Sequence, residues 1–183
     1  GNENPISPEL FQSFNPIFVV FMTPVILGIF AFLRSRDKEP SSPRKIGIGM
    51  LLMGFGWLIL ITAAVTNNLA SPKELVTVGG VSSVLTSPYW LISMYFGMTI
   101  AELFISPMGL AYVAKVAPPK LRGTMQGGWL AATAIGNLLS GIMAFPYAKL
   151  ELWQTYAILV VTSCLAGGIM FAMLKKLNQL TEA

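Results

Sequence analysis

The chain has 183 residues, 54% of them hydrophobic and only 11% charged, with a formal net charge of +4. Soluble domains carry about 25% charged residues, so this balance excludes a water-soluble globular fold, a disordered chain and a nucleic-acid binder. Histidine is absent and Cys164 is the one cysteine, which removes an internal disulfide, a thiol metal site and the side chain that titrates nearest neutral pH.

The chain opens on GNENPISPELF, with no methionine, no basic n-region and no cleavage site. It is therefore not a signal peptide, and it reads as the start of a piece cut from a longer chain. Five charge-free runs follow, at 10–33, 46–72, 75–101, 123–148 and 152–174, of 24, 27, 27, 26 and 23 residues. About 20 apolar residues in a helix cross roughly 30 Å of hydrocarbon, and every run is long enough. The expected fold is an all-α polytopic membrane protein with transmembrane helices near 10–33, 46–66, 88–114, 123–145 and 152–174.

The connecting segments set the orientation. The first loop, RSRDKEPSSPRK, holds Arg34, Arg36, Lys38, Arg44 and Lys45, with Pro40 and Pro43 expected to stop any continuous helix. Lys115, Lys120 and Arg122 lie between the third and fourth spans, and Lys175 and Lys176 follow the fifth. The other side has Lys73 and Lys149. Lys and Arg are retained on the cytoplasmic side, so the N-terminus is expected outside and the C-terminus inside, in a multi-pass cell (inner) membrane protein. Tyr89, Trp90, Tyr147, Trp153 and Tyr156 fall near span ends on the expected outer face, where amphipathic rings prefer to lie. The LVTVGGVSSVL stretch of the outer loop 67–87 reads as loosely ordered or interfacial.

Glu102 is the one charge deep within an expected span. An ionised group at the bilayer centre costs several kcal/mol unless paired or hydrated, and such groups mark cavities and proton relays. A carboxyl group there can exchange a proton for an organic cation; the alternative is a permanently protonated side chain hydrogen-bonded between helices. Tyr95, Met98, Ser106 and Leu110 share its side of the helix. Pro107 offers no N–H to the Leu103 carbonyl, which loosens the helix locally or leaves a harmless packing kink.

In the fourth span Gln126, Trp129, Thr133, Asn137 and Ser140 fall within about 80° at 100° per residue. That stripe lines a substrate path or, the favoured reading, hydrogen-bonds to neighbouring helices. Trp129 lies away from the interface belt and needs either packing or a ligand to stack on. Asn15, before Pro16, suits a helix cap. Gly123, Gly127 and Gly128, and the glycines at 47, 49, 54 and 56, have the spacing of close helix packing. With no nucleophile–base pair and no metal cluster, an enzyme has no residues to rest on.

The stretches FQSFNPIFVVFMTP and AELFISPMGLAYVAKVAPPKLRGTMQGGWLAATAIGN, in a five-span layout, resemble the C-terminal part of the proton-dependent oligopeptide transporter family, twelve-helix members of the major facilitator superfamily. The resemblance covers residues 9 to about 175 and is most specific from Ala101 to Asn137. It implies that the five spans are helices 8 to 12 of such a transporter, with helices 1 to 7 absent from this chain. Their ExxER-type motif, their basic residues for the peptide carboxylate and the acidic residue of helix 7 go with them. The G/A-E-L-x-x-S-P-x-G-L pattern falls on Glu102, Ser106 and Leu110, with Ala101 where glycine is common. By that resemblance Glu102 engages the peptide amino terminus and takes part in proton coupling, Ser106 stands beside it, and Leu110 lies at a side-chain pocket. The tryptophan of the G-x-W pattern falls on Trp129, lining the cavity, and the asparagine of Q-S-x-N-P falls on Asn15, contacting the amino terminus. The implied function is proton-coupled symport of di- and tripeptides, with the proton as coupling ion and no cofactor. The implied partners are the lipid bilayer, the peptide and the remaining helices. The alternatives are another facilitator-superfamily carrier of amino-bearing or drug-like substrates, and a non-transporting membrane subunit.

Overall fold

A computed structural model describes residues 11–69, 74 and 87–182, and the described residues are helical throughout, with short turns between. Lys73 and the LVTVGGVSSVL stretch lie outside them. The helices are α1 (Phe14–Arg34), α2 (Ser42–Thr66), α3 (Tyr89–Val116), α4 (Arg122–Ser140), α5 (Ala144–Lys149), α6 (Leu152–Ala172) and α7 (Leu174–Glu182), with 3-10 turns at Pro119–Leu121 and Gly141–Met143. Five stretches are long and apolar enough to cross a membrane: α1, α2, α3, the Pro119–Lys149 segment and α6.

Local chemistry sets the ends. Asp37 and Asn68 adopt positive φ (53° and 46°) just past α1 and α2, a conformation that short polar side chains tolerate. In each case two backbone N–H groups fold back on the last carbonyls: Lys38 to Leu33 and Asp37 to Arg34, Leu69 to Ala64 and Asn68 to Val65. This reversed pairing terminates both helices. Glu151 opens α6 with a capping box, its backbone N–H donating to the Gln154 side chain at 3.1 Å.

Two boundaries depart from the sequence reading. Pro43, expected to stop a helix, lies in the first turn of α2, where its missing N–H has no helical partner to lose. The apolar run 123–145 is not one α-helix. Pro146 has no N–H for the Ile142 carbonyl, and the chain tightens into the 3-10 turn Gly141–Met143 before α5 resumes.

The centre of the bundle is α2, flanked by α3 and α6, with α1 and α4 each packed on α3. Glycines make the close approach possible. Gly49 and Gly56 turn to α3, where an added Cβ would meet Ile105 and Met98, while Gly47 and Gly54 turn to α6, facing Phe171 and Cys164. A seven-residue repeat on each flank keeps both contacts on constant faces of one helix. Ile26, Phe30 and Leu103 form a buried cluster between α1 and α3. Elsewhere large apolar side chains such as Phe21, Phe55, Leu138 and Val161 face outward, as expected where the surrounding solvent is hydrocarbon.

Candidate functional site

The first turn of α1 lies level with the middle of α3, so Asn15 reaches the same depth as Thr99 and Glu102. Its side-chain N–H donates to a Glu102 carboxylate oxygen at 3.3 Å, and the Thr99 hydroxyl lies 2.7 Å from the Asn15 Oδ1. Thr99 is fully buried, whereas Asn15 is half-buried and Glu102 is exposed. A recess of about 210 Å³ opens beside this group, lined by Asn15 from α1, Met53 from α2 and Tyr95, Met98, Glu102, Ile105 and Ser106 from α3. Among the described residues Glu102 has no cationic partner; the ion pairs there join Glu39 to Arg34 and Lys45. A carboxylate that is solvated, hydrogen-bonded on one side and open on the other has room for an incoming cation or a proton.

The residues singled out from the sequence divide in two. Asn15, Glu102 and Ser106 come together in the recess. Leu110, half-buried two turns further along α3, is not part of its lining. Nor is Trp129, which packs on α3 at Gly109, so closely that a Cβ at that position would lie 2.1 Å from an indole carbon. Packing is thus what this tryptophan has found within the chain. Thr133 and Ser140 donate to carbonyls of their own helix, Trp129 and Asn137, at 3.1 and 2.6 Å. Thr133, Asn137 and Ser140 face outward, so the favoured interhelical hydrogen bonds are not what these hydroxyls make. Gly123, Gly127 and Gly128 meet nothing within 4 Å: α4 presents these glycines, with Thr133, Asn137 and Ser140, to open sides of the bundle.

Sequence reasoning missed Thr99. A threonine in an apolar helix ordinarily returns its hydroxyl to the carbonyl four residues back, and Thr99 has that partner too, in Tyr95 at 2.8 Å. Its spacing from Glu102, three residues on the same helix, was the available signal.

Comparison with known proteins shows the family of the chain. The profile of the POT family matches residues 2–158. Peptide transporter YePEPT of Yersinia enterocolitica is 32% identical over 133 residues, covering 73% of this chain and 24% of the relative. Dipeptide and tripeptide permease A of Proteus mirabilis is 31% identical over 188 aligned residues, covering 95% of this chain and 35% of the relative. A crystal structure of a peptide transporter POT, solved for a mutant, superposes with a TM-score of 0.79 at 22% identity, over 96% of this chain and 32% of that one. The last likeness is one of fold. The chain spans about a quarter to a third of the length of the curated relatives it matches.

Proposed function

The chain belongs to the POT family, and from that membership and the recess at Glu102 we propose that it supplies the last five helices of a proton-coupled di- and tripeptide symporter of the inner membrane. The N-terminus then lies outside and the C-terminus inside. The observation that carries the proposal is the Glu102 carboxylate, held by Asn15 at the mouth of an open recess with no cationic partner among the described residues. Ionised, it binds the ammonium of a peptide amino terminus; neutral, it holds a proton instead. The two states exclude each other. Alternating access of two helical halves around a shared central site converts that exclusion into coupled transport. The remaining seven helices supply the other wall of the cavity and the groups for the peptide carboxylate. Ser106 borders the ammonium site, while Leu110 lies two turns further along α3, nearer its basic end, where Trp129 of α4 packs on Gly109.

The test is Glu102→Gln in the complete transporter carrying this sequence. Glutamine keeps the size and the hydrogen bond to Asn15 but cannot ionise. Uptake of radiolabelled dialanine driven by a pH gradient is expected to fall to background. Undiminished proton-driven uptake would leave Glu102 a structural residue and overturn the mechanism.

A further inference from the structure

Thr99 holds a single hydroxyl proton and stands between two acceptors, the Asn15 Oδ1 at 2.7 Å and the Tyr95 carbonyl at 2.8 Å. It is fully buried, so water does not serve it, and it satisfies one acceptor at a time. The Asn15 amide, for its part, has two ends of nearly equal shape. Turning it by 180° exchanges its oxygen and its nitrogen without moving any neighbour.

Two hydrogen-bond patterns therefore fit the same positions. With Glu102 ionised, the Asn15 N–H donates to the carboxylate and the Thr99 hydroxyl donates to the Asn15 oxygen. When Glu102 is protonated, its O–H donates to the turned amide oxygen. The amide N–H then donates to Thr99, and Thr99 donates to the Tyr95 carbonyl. The second pattern has one hydrogen bond more than the first, and that bond exists only because Thr99 both accepts and donates. Resting on the reading of Glu102 as the coupling group, we propose that Thr99 is a positioning residue whose hydroxyl switches partner with the proton on Glu102 and turns the Asn15 amide from donor to acceptor toward the recess. Besides Glu102, Tyr95 is the one titratable group facing the recess from α1, α2 and α3; α4 and α7 meet α3 further along, at Gly109 and Tyr112.

The test uses the complete transporter in liposomes with labelled dialanine as probe. Thr99→Val keeps the shape and removes the hydroxyl, taking two hydrogen bonds from the protonated pattern and one from the ionised pattern. The pH of half-maximal uptake is expected to fall by about half to one unit, and Thr99→Ser is expected to restore it. An unmoved profile in Thr99→Val, or a serine variant that behaves as valine does, overturns the proposal. A second readout needs no transport. With asparagine nitrogen-labelled and the Asn15 side chain assigned by its loss in Asn15→Leu, its NMR signal is expected to move between two positions as pH changes in the wild type. Thr99→Val should abolish the acid-side position. One pH-invariant signal in the wild type sinks the amide switch even if uptake is proton-driven, whereas two positions without any peptide uptake would uphold the switch and sink the symporter reading.

Discussion

Glu39 joins the basic ends of α1 and α2. It accepts from Arg34 at 2.6 and 3.1 Å, and it also contacts the ammonium of Lys45, which is itself buried and lies 4.0 Å from the centroid of the Phe30 ring. Hydrogen bonding to Arg34, then to Lys45, lowers the Glu39 carboxyl from its ordinary value to about 2. A carboxyl depressed by folding stabilises the native state in full above its unfolded value of 4.5, and that contribution disappears as pH falls through about 2. Glu39→Gln is accordingly expected to cost about 1–3 kcal/mol at neutral pH by leaving the Lys45 ammonium under-paired. The gap from wild type, measured by thermal unfolding in detergent, should shrink below pH 4.5 and close near pH 2. Residues of this kind differ in how legible they are. Glu102 stood out because charge is rare in apolar helices, and Asn15 through its motif. Thr99 did not, since its second partner is 84 positions away in the chain and nothing local announces it.

Among the elements, α2 has the least freedom, because it is packed on two flanks by its glycines. A Cβ at Gly49 would lie 2.7 Å from Ile105 and 2.9 Å from the Ala101 carbonyl oxygen, whereas one at Gly54 would lie at 3.4 Å from the Cys164 Sγ, in ordinary contact. Gly49→Ala is therefore expected to force α2 and α3 apart and to lower stability by about 1–3 kcal/mol. Gly54→Ala should be neutral or stabilising by up to about 1 kcal/mol, through helix propensity. Thermal unfolding of the two variants side by side checks the contrast, and equal losses would mean that backbone approach does not set the α2–α3 spacing. Helix identity was legible from charge-free length, and the close-packing role of the glycines at 47, 49, 54 and 56 from their spacing. The same spacing at 123, 127 and 128 leads to open space. A small-residue pattern shows that a helix permits close approach; it does not say that a neighbour is there.

At the scale of the whole molecule, the recess is walled by α1, α2 and α3 on one side and open on the other, and α4 contributes no buried residue. A site open in this way cannot alternate between two faces of a membrane. The chain reconstituted alone in proteoliposomes is expected to show no proton-driven dialanine uptake above empty liposomes, and uptake by it alone would contradict the need for the other helices. By itself the sequence determined that the chain is a bundle of five membrane-length helices, since hydrocarbon excludes long polar runs and unpaired backbone alike. It also marked Glu102 as a group that hydrocarbon alone would not tolerate. Which polar groups meet that carboxylate was decided only by the tertiary structure, because the depth at which α1 crosses α3 follows from side-chain packing between distant segments, and hydropathy carries no record of it.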